Sequence, residues 1–355
     1  MDMNFFKHDA FSAVTMMKAI ENYEFQPGII GSLNLFEEIE TSTTIVGIKR
    51  HDISLIQTSE RGMSCTNNNK TDHLRFFQTT CIVKSDTVKI EEVQGWNILS
   101  PANQLETAMK YIAGKQKKLI SEIELIWENM QLGAVQGVVL DANSSVIIDW
   151  YKEWEITPQK PIDFKLNVET TNVADHVDQV IMRMIEASKG AFSDRSRIIG
   201  LCGNEFFSKL KNHKTVRETY LNTALAQTLN SAGGVATPSA IGSGSFGSFD
   251  FAGVTFINYR SVHNYNVSAK AGTKRAIGIK PDECQFFPAN APGVFQKTFA
   301  PAETENFSHT IGKSLYNILI PDPDHNTWAK LAVYSYPLYI CTRPEMLFKA
   351  VSGGK

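Results

Sequence analysis

The clearest hydrophobic pattern in the chain runs from Pro101 to about Ala134. Its apolar residues recur at alternating steps of four and three, with Gln116 in the one polar slot: Leu105, Met109, Ile112, Leu119, Ile123, Ile126 and Met130. This spacing places them on one face of an α-helix. Ser100 is a suitable N-cap for a helix that starts at Pro101. A helix of about 33 residues would span about 50 Å. We therefore predict a spine that braces an extended protein, with a coiled-coil arm as the alternative.

From Thr41 to Trp96 the pattern changes to strands. The segments TTIVGIK, DISLIQT, HLRFFQTTCIV and DTVKIEEV are rich in β-branched and aromatic residues, and a polar tip, ERGMSCTNNNKTD, separates the two halves. The simplest interpretation is a long two-stranded hairpin folded at residues 61–72. Such a hairpin is marginal in water by itself, so we expect it to clasp a neighbouring subunit. Its charged residues are candidate subunit contacts, with a solvated edge as the alternative: Lys49, Arg50, Arg61, Lys70, Asp72 and Arg75.

Residues 1–40 carry aromatic side chains on a segment with little regular pattern. Short helical patches alternate with Pro27, Gly28 and Gly31. This combination indicates an arm that packs onto another surface, and an N-terminal subdomain packed on its own core is the alternative. The candidate contact residues in the arm are Phe5, Phe6 and Phe11.

Beyond the spine, the pattern predicts a hairpin and then an α/β unit. The hairpin is VVL-DANSS-VIIDW. The α/β unit lies at roughly 165–285 and begins with a helix at 172–189 and the buried strand RIIGLC. Two helical segments follow, NEFFSKLKNH and TVRETYLNTALAQTLN, and then the strand GVTFINY. The segment 231–253 is dominated by Gly, Ser and Ala. No G-K-[ST] follows it and it leads into a strand, which argues against a phosphate cradle. We expect a mobile surface loop there.

Composition and charge narrow the classes of function. The 355-residue chain has a formal net charge of -2, so nothing marks it as a protein that binds nucleic acid or membranes through bulk charge. It has no apolar run of about 18 residues and no secretory leader pattern. The five cysteines are odd in number and far apart, which is typical of reduced thiols in a cytosolic protein. They are Cys65, Cys81, Cys202, Cys284 and Cys341.

The sequence offers no arrangement of residues for catalysis. The eight histidines are scattered without H-x-x-x-H or H-E-x-x-H, and no G-x-S-x-G motif is present. We therefore predict no catalytic, cofactor-binding or metal-binding residue and no enzymatic activity. A chain with these properties fits a subunit whose surfaces are completed by copies of itself. An α/β enzyme that uses the Gly-rich loop is the alternative.

The segment from Ile279 onward carries a series of short motifs in a fixed order. They are Phe287-Pro288, Gly293-Val294-Phe295, Ala300-Pro301-Ala302, Thr310-Ile311-Gly312 and the run from Pro337 to Pro344. This series resembles the C-terminal signature of the phage major capsid protein E family, the lambda-type major head proteins. The passage GAVQGVVLDANSSVIIDW also resembles the family, so the resemblance covers nearly the whole chain.

The resemblance implies an α+β fold of the Hong Kong 97 capsid type. Its parts would be an N-terminal arm (1–40), an extended β-hairpin loop (41–96), a peripheral domain with the spine helix 101–134 and a hairpin (97–164), an α/β axial domain (165–310), and C-terminal strands that return to the peripheral domain (311–355). The apolar stripe of the spine should then pack on the sheet of its own subunit. The candidates for the exposed face of the spine are Lys115, Lys117, Lys118 and Glu128.

The resemblance also implies the function. The chain would be a major capsid protein of a tailed bacteriophage that assembles as hexamers and pentamers into an icosahedral shell in the host cytoplasm and becomes part of the virion. Its partners would be itself, the portal, a separate scaffold, decoration proteins and, without sequence specificity, the packaged double-stranded DNA, with no membrane partner. The alternatives are an encapsulin-like nanocompartment shell, a tail-structural protein, and the enzyme named above.

Overall fold

The computed structural model describes residue 16 and residues 28–50, 73–93, 101–143, 145–193, 195–221, 247–259, 278–305, 307, 310–325 and 327–353. In chain order, the helices with described bounds are α1 (Ile29–Ser32), α2 (Ile90–Val93), α3 (Pro101–Gln136), α4 (Trp150–Glu153), α5 (Val173–Ser188), α6 (Asn204–Asn212), α7 (Lys214–Leu221) and a 3-10 turn (Pro344–Met346). The first eight described strands are β1 (Glu37–Glu40), β2 (Ile45–Arg50), β3 (His73–Gln78), β4 (Ile82–Lys89), β5 (Val138–Leu140), β6 (Val146–Asp149), β7 (Ile162–Asp163) and β8 (Arg197–Cys202). The other eight are β9 (Ser248–Phe251), β10 (Val254–Asn258), β11 (Glu283–Ala289), β12 (Phe295–Phe299), β13 (Tyr316–Pro321), β14 (Trp328–Ser335), β15 (Pro337–Cys341) and β16 (Phe348–Val351).

The predicted spine is confirmed as α3, a helix of 36 residues that starts at Pro101. It ends where Gly137 takes a φ of 83°, the left-handed conformation that glycine adopts without a steric penalty. Most of the apolar stripe is buried, with Ile123 completely inaccessible to solvent. Ile126 is half-buried, and Met109 lies exposed near the start of the helix. The stripe thus belongs to the core of its own subunit.

The spine packs on an antiparallel sheet of three strands in the order β13-β14-β4. Two ion pairs connect the helix to β4, Glu122 with Lys84 at 2.8 Å and Lys115 with Asp86 at 3.1 Å. The indole Nε1 of Trp127 donates to the Ser335 hydroxyl of β14 at 3.2 Å. We call this unit of helix and sheet the spine layer.

One strand prediction is wrong. The segment DTVKIEEV was expected to continue the long hairpin, but β4 pairs with β14 along its whole length, from Ile82 opposite Ser335 to Lys89 opposite Trp328. The chain leaves the hairpin at Thr79–Cys81, where Thr80 donates from its N–H and its hydroxyl to the carbonyl oxygen of Pro337. Alternation along a strand shows which residues are buried and does not identify the partner strand.

The base of the predicted hairpin is confirmed. Strands β2 and β3 pair antiparallel, from Ile45 opposite Gln78 to Arg50 opposite His73, and form a sheet of two strands. We call this sheet the ribbon. The predicted tip at 61–72 and the segment DISLIQT lie outside the described residues.

The predicted α/β unit is built on a mixed sheet of six strands in the order β7-β16-β11-β8-β10-β9. Strand β8 runs parallel to β10 and antiparallel to β11. The helix predicted at 172–189 is α5, and the strands RIIGLC and GVTFINY are β8 and β10. Phenylalanines fill the core of this sheet with ring centroids 5.4–5.8 Å apart: Phe164, Phe206, Phe249, Phe256 and Phe286.

The end of the Gly/Ser-rich segment differs from the expected loop. Ser248–Phe251 forms β9 and pairs antiparallel with β10, with Ala252 and Gly253 at positive φ in the turn between them. Phe249 and Phe251 are buried, and this burial accounts for the strand. The part of this segment at 231–246 lies outside the described residues.

A third sheet joins distant parts of the chain in the order β1-β12-β15, with β1 parallel to β12. The hairpin predicted after the spine is confirmed as β5 paired with β6. Side chains from the ribbon, the spine layer and the six-stranded sheet belong to one continuous hydrophobic core. No described helix is long and apolar enough to cross a membrane.

Candidate assembly surface

The two faces of the ribbon have different surroundings. Along β2 the exposed and buried residues alternate strictly, with Val46 and Ile48 buried and Ile45 and Lys49 exposed. A strand in a sheet presents successive side chains to opposite faces. The ribbon therefore has an inner face toward the subunit and an outer face toward solvent.

Phe77 anchors the inner face. Its ring lies against Trp150 at a centroid distance of 5.1 Å and Trp154 at 6.1 Å. The Trp154 indole Nε1 donates to the carbonyl oxygen of Cys341 at 3.0 Å, and this bond fixes the aromatic wall. The inner face is thus part of the folded core.

The outer face is exposed and largely apolar, with Lys49 at one end opposite Leu74 and Gln78 at the other end opposite Ile45. We define its apolar part as Ile45, Gly47, Leu74 and Phe76. The exposed fractions are 56% for Ile45, 45% for Leu74 and 67% for Phe76. Burial of these side chains in an assembly would remove a contiguous apolar surface from water. Exposed apolar patches of this kind commonly mark sites of protein–protein interaction.

Gly47 shapes the outer face. It lies directly opposite Phe76 in the register. A Cβ atom at this position would lie 3.1 Å from Cε1 of Phe76 and 3.5 Å from Cδ1 of Leu74. Because glycine has no side chain, the ring and the leucine lie close over the backbone of β2. The result is a low, flat apolar surface suited to packing against another sheet or helix.

An ion pair fixes the last described residue of β2. The guanidinium of Arg50 contacts the Glu345 carboxylate, and only 9% and 13% of the two side chains are exposed. Glu345 lies in the 3-10 turn Pro344–Met346, which also contacts α5. A buried pair of this kind depends on both partners, since the loss of one leaves an uncompensated charge. The ribbon is therefore tied firmly to the body of its own subunit.

The second arginine of the ribbon is also engaged within the subunit. Arg75 pairs with Glu155 at 2.7 Å, and its guanidinium lies 5.9 Å from the centroid of the Trp154 ring. Both Arg50 and Arg75 were candidate subunit contacts from the sequence. Within one subunit both guanidinium groups already have a carboxylate partner. The candidate Lys49 is exposed on β2. The remaining candidates lie outside the described residues: Phe5, Phe6, Phe11, Arg61, Lys70 and Asp72.

The sequence contained a signal for the outer face that charge-based reasoning missed. Ile45-Val46 and Phe76-Phe77 are adjacent apolar pairs on opposite strands of the ribbon. Because neighbouring residues point to opposite faces, an apolar pair makes both faces apolar. A ribbon of two strands can bury only one of them on its own subunit.

The Glu128 carboxylate of the spine was a candidate for the exposed face of the helix. It is mostly buried instead. It accepts hydrogen bonds from the N–H groups of Ile30 at 2.9 Å and Gly31 at 3.3 Å, and from the Tyr259 hydroxyl at 3.4 Å. Burial raises the pKa of Glu128, and the hydrogen bonds act in the opposite direction. Glu128 thereby joins the spine to α1 and to the end of β10. Helical periodicity could not have shown this second contact.

A cavity of about 350 Å³ lies beside Glu128. Glu38 and Lys297 in its wall form an ion pair at 3.1 Å. Among the described residues, no group of three or more His, Cys, Asp or Glu side chains could hold a metal ion. The candidate site is therefore the outer ribbon face.

The sequence matches the family profile of phage major capsid protein E over residues 12–352. It is 25% identical over 337 residues to the major capsid protein of Salmonella phage Felix O1, in an alignment that covers 90% of each chain. It is 28% identical over 183 residues to the major capsid protein of Pseudomonas phage KPP10, covering 49% of this chain and 48% of that one. The fold is similar to that of a prophage capsid protein from Escherichia coli CFT073, with a TM-score of 0.59 and 11% identity over 96% of this chain and 99% of that one.

Proposed function

The chain belongs to the phage major capsid protein E family, and we propose that its outer ribbon face is the surface through which one copy binds the next in the shell. It is a major capsid protein of a tailed bacteriophage, with the Hong Kong 97-like fold. The observation that carries the proposal for the ribbon is the exposure of Phe76 and Ile45 on a ribbon whose other face is already packed.

Energetics support this choice of surface. Burial of apolar surface contributes roughly 25 cal/mol per Å², and obligate interfaces bury about 2,000 Å² or more. The outer ribbon face supplies only part of such an area, so further contacts must contribute. Its side chains contribute little to the folding of an isolated subunit because they remain in water. Their burial against another copy would therefore act almost wholly on assembly.

The proposed division of the chain follows the predicted parts with two changes. The proposal keeps an arm at 1–40, a peripheral domain at 97–164, an axial domain at 165–310 and returning strands at 311–355, except that β16 joins the six-stranded sheet of the axial domain. The projecting loop ends at Gln78 instead of residue 96, because β4 belongs to the spine layer. In this arrangement the ribbon is the described base of the projecting loop.

The partners follow from the role of a shell subunit. Copies of the chain would form hexamers and pentamers of an icosahedral shell, assembled in the host cytoplasm with a scaffold, a portal and decoration proteins. Contact with the packaged double-stranded DNA would be independent of sequence, because a net charge of -2 leaves only local groups of Lys and Arg to meet phosphates. An encapsulin-like shell would use the same fold, but the family match over nearly the whole chain supports the phage head.

The test is assembly of three proteins expressed with the scaffold of the phage and imaged by electron microscopy. The wild type is expected to form closed shells. Phe76→Asp should give folded subunits that do not form shells, because it replaces the apolar ring with a carboxylate that is costly to bury. Phe76→Leu is the matched control and should retain shells, since it keeps the face apolar. Normal shells from Phe76→Asp would exclude the outer ribbon face as an essential interface.

A further inference from the structure

Two cysteines lie directly opposite each other in the six-stranded sheet. Cys202 of β8 faces Cys284 of β11 in the antiparallel register. Their sulfur atoms are 3.3 Å apart, and the Cys202 thiol donates to Sγ of Cys284. Both residues are completely buried. The two thiols are therefore in direct contact within the core.

The backbone at this position is suitable for a disulfide. The N–H of Tyr259 donates to the carbonyl oxygen of Cys202, so the polar backbone groups of Cys202 point toward β10 and away from β11. The next pair along, Gly203 and Glu283, is joined by a hydrogen bond. Cys202 and Cys284 therefore form a non-hydrogen-bonded pair, whose Cα atoms are typically about 4.5 Å apart. Disulfides span Cα distances of about 4.4–6.8 Å.

Gly200 leaves space beside the pair. It precedes Cys202 by two residues and so lies on the same face of β8. A Cβ atom at this position would lie 3.2 Å from Sγ of Cys284. Without it, the Cys284 side chain can rotate toward Cys202. The sulfur atoms need only approach from 3.3 Å to a bond length of about 2.05 Å.

We propose that Cys202 and Cys284 are an oxidation site that forms an intrasubunit disulfide after the shell leaves the reducing cytosol. The oxidant is a peroxide. One thiolate attacks a peroxide oxygen, the O–O bond breaks, and a sulfenic acid and one water form once the released oxygen is protonated. The second sulfur then attacks the sulfenic sulfur, the S–O bond breaks, and a second water leaves. Two thiols and one hydrogen peroxide thus become one disulfide and two waters.

Burial controls when this reaction occurs. Burial raises the pKa of Cys284, and the neighbouring thiol of Cys202 raises it further. The reactive species is the thiolate, so the pair reacts slowly and only when the sheet opens locally. The thiols consequently remain reduced during folding and assembly, as the sequence predicts for a cytosolic protein. The extracellular shell has the longer exposure that a slow reaction requires.

The expected effect of the bond is added thermal stability. The cysteines are 82 residues apart in the sequence. Closing a loop of that length restricts the unfolded chain considerably, and for a protein of this size the melting temperature should rise by about 5 °C. The ring would also connect the two strands on either side of the centre of the sheet, β8 and β11.

The experiment compares reduced particles with particles held in dilute hydrogen peroxide, followed by unfolding, alkylation and mass spectrometry. The expected result is the protection of two cysteines from alkylation, a cross-linked peptide containing Cys202 and Cys284, and a rise in melting temperature that dithiothreitol reverses. Cys202→Ala and Cys284→Ala should each lose the rise. Cys341→Ala is the matched control, since Cys341 is equally buried and free, and it should keep the rise.

Free alkylation of both cysteines after prolonged oxidation would overturn the proposal, as would a cross-link through Cys81 or Cys341. The setting outside the cell rests on the proposed capsid function, whereas the chemistry of the pair does not. Oxidation of unassembled wild-type subunits separates the two. If the subunits formed the disulfide but never formed shells, the proposed function would be refuted and the oxidation site would stand. If shells formed without the disulfide, the oxidation site would be refuted and the proposed function would stand.

Discussion

The spine and the ribbon are both organised by apolar residues, but they use them differently. In the spine, the stripe is covered by the sheet of its own subunit, and Ile123 is completely buried. In the ribbon, one apolar face is covered and the other, around Phe76, remains in water. The spine has a second layer to pack against, whereas a ribbon of two strands meets its own subunit on one side only. Apolar character alone therefore does not separate residues that fold the subunit from residues that remain exposed and are proposed to join subunits.

The largest expected effect comes from breaking the spine. Ile123→Asp would bury an unpaired carboxylate in the core, at a loss in the free energy of unfolding of at least about 4 kcal/mol. Single domains are stable by only about 5–15 kcal/mol, so we expect no folded subunit. Soluble yield and circular dichroism measure this. Lys118→Asp on the exposed side of the same helix is the control and should fold. Folded monomers of Ile123→Asp would mean that the stripe faces a neighbour.

The two adjacent phenylalanines of the ribbon give the sharpest comparison. Phe77→Ala removes the ring that packs on Trp150 and Trp154, and it should lower the free energy of unfolding by about 3–5 kcal/mol. Phe76→Ala removes an exposed ring and should change it by no more than about 0.5 kcal/mol. Urea denaturation of the unassembled subunits measures both. Similar losses from the two substitutions would contradict the distinction between inner and outer faces.

The two arginines of the ribbon form a second matched pair. Glu345→Gln leaves the buried guanidinium of Arg50 without its counter-charge, and a loss of about 3 kcal/mol is expected. Glu155→Gln removes the partner of Arg75 from a pair whose carboxylate is well exposed, and the loss should stay below about 1 kcal/mol. The same urea experiment measures both values. If Glu155→Gln proved the costlier change, Arg50 would not be the anchor of the ribbon.

The smallest effect concerns Glu128 and the pH. Burial raises the pKa of Glu128 above its ordinary value of 4.5, so the folded subunit favours the protonated form. Its contribution to stability is then complete below pH 4.5 and is lost as the pH rises through the folded-state pKa. Glu128→Gln cannot titrate and should abolish this part of the pH dependence. Denaturation from pH 4 to 8 measures the difference, in the Phe76→Asp background that is expected not to assemble.

The control for this titration is Glu124→Gln, which removes a carboxylate from the wall of the same cavity. Other acidic groups near the cavity titrate in both proteins, so only the difference between each variant and its parent is informative. An unchanged pH profile for Glu128→Gln would show that the hydrogen bonds from Ile30 and Gly31 compensate fully for burial.

Local patterns in the sequence were sufficient to predict the helices and strands that bury one face. The spine from Pro101, the hairpin β5–β6, helix α5 and strands β8 and β10 all follow from periodicity and end signals. The motif series after Ile279 was sufficient to identify the family. In each case the information lies within a few neighbouring residues.

The misjudged features depend on pairing between distant residues. Strand β4 pairs with β14, about 245 residues further along, and its own alternation is the same in either partnership. The charge of Glu128 suggested an exposed position, whereas its carboxylate accepts hydrogen bonds from α1 in the same subunit. The outer ribbon face was missed because an exposed apolar surface and a buried one have the same composition.

The sheet order also determines when the subunit can be completed during synthesis. Among the described strands, each of the three larger sheets includes strands from beyond residue 283, and β1 and β4 pair only with such strands. At about 5–20 residues per second, β1 waits roughly 13–52 s before its partner β12 has been made. Until β12 and β14 have been made, β1 and β4 have no partner strand. The two sheets that contain them can therefore be completed only late in synthesis.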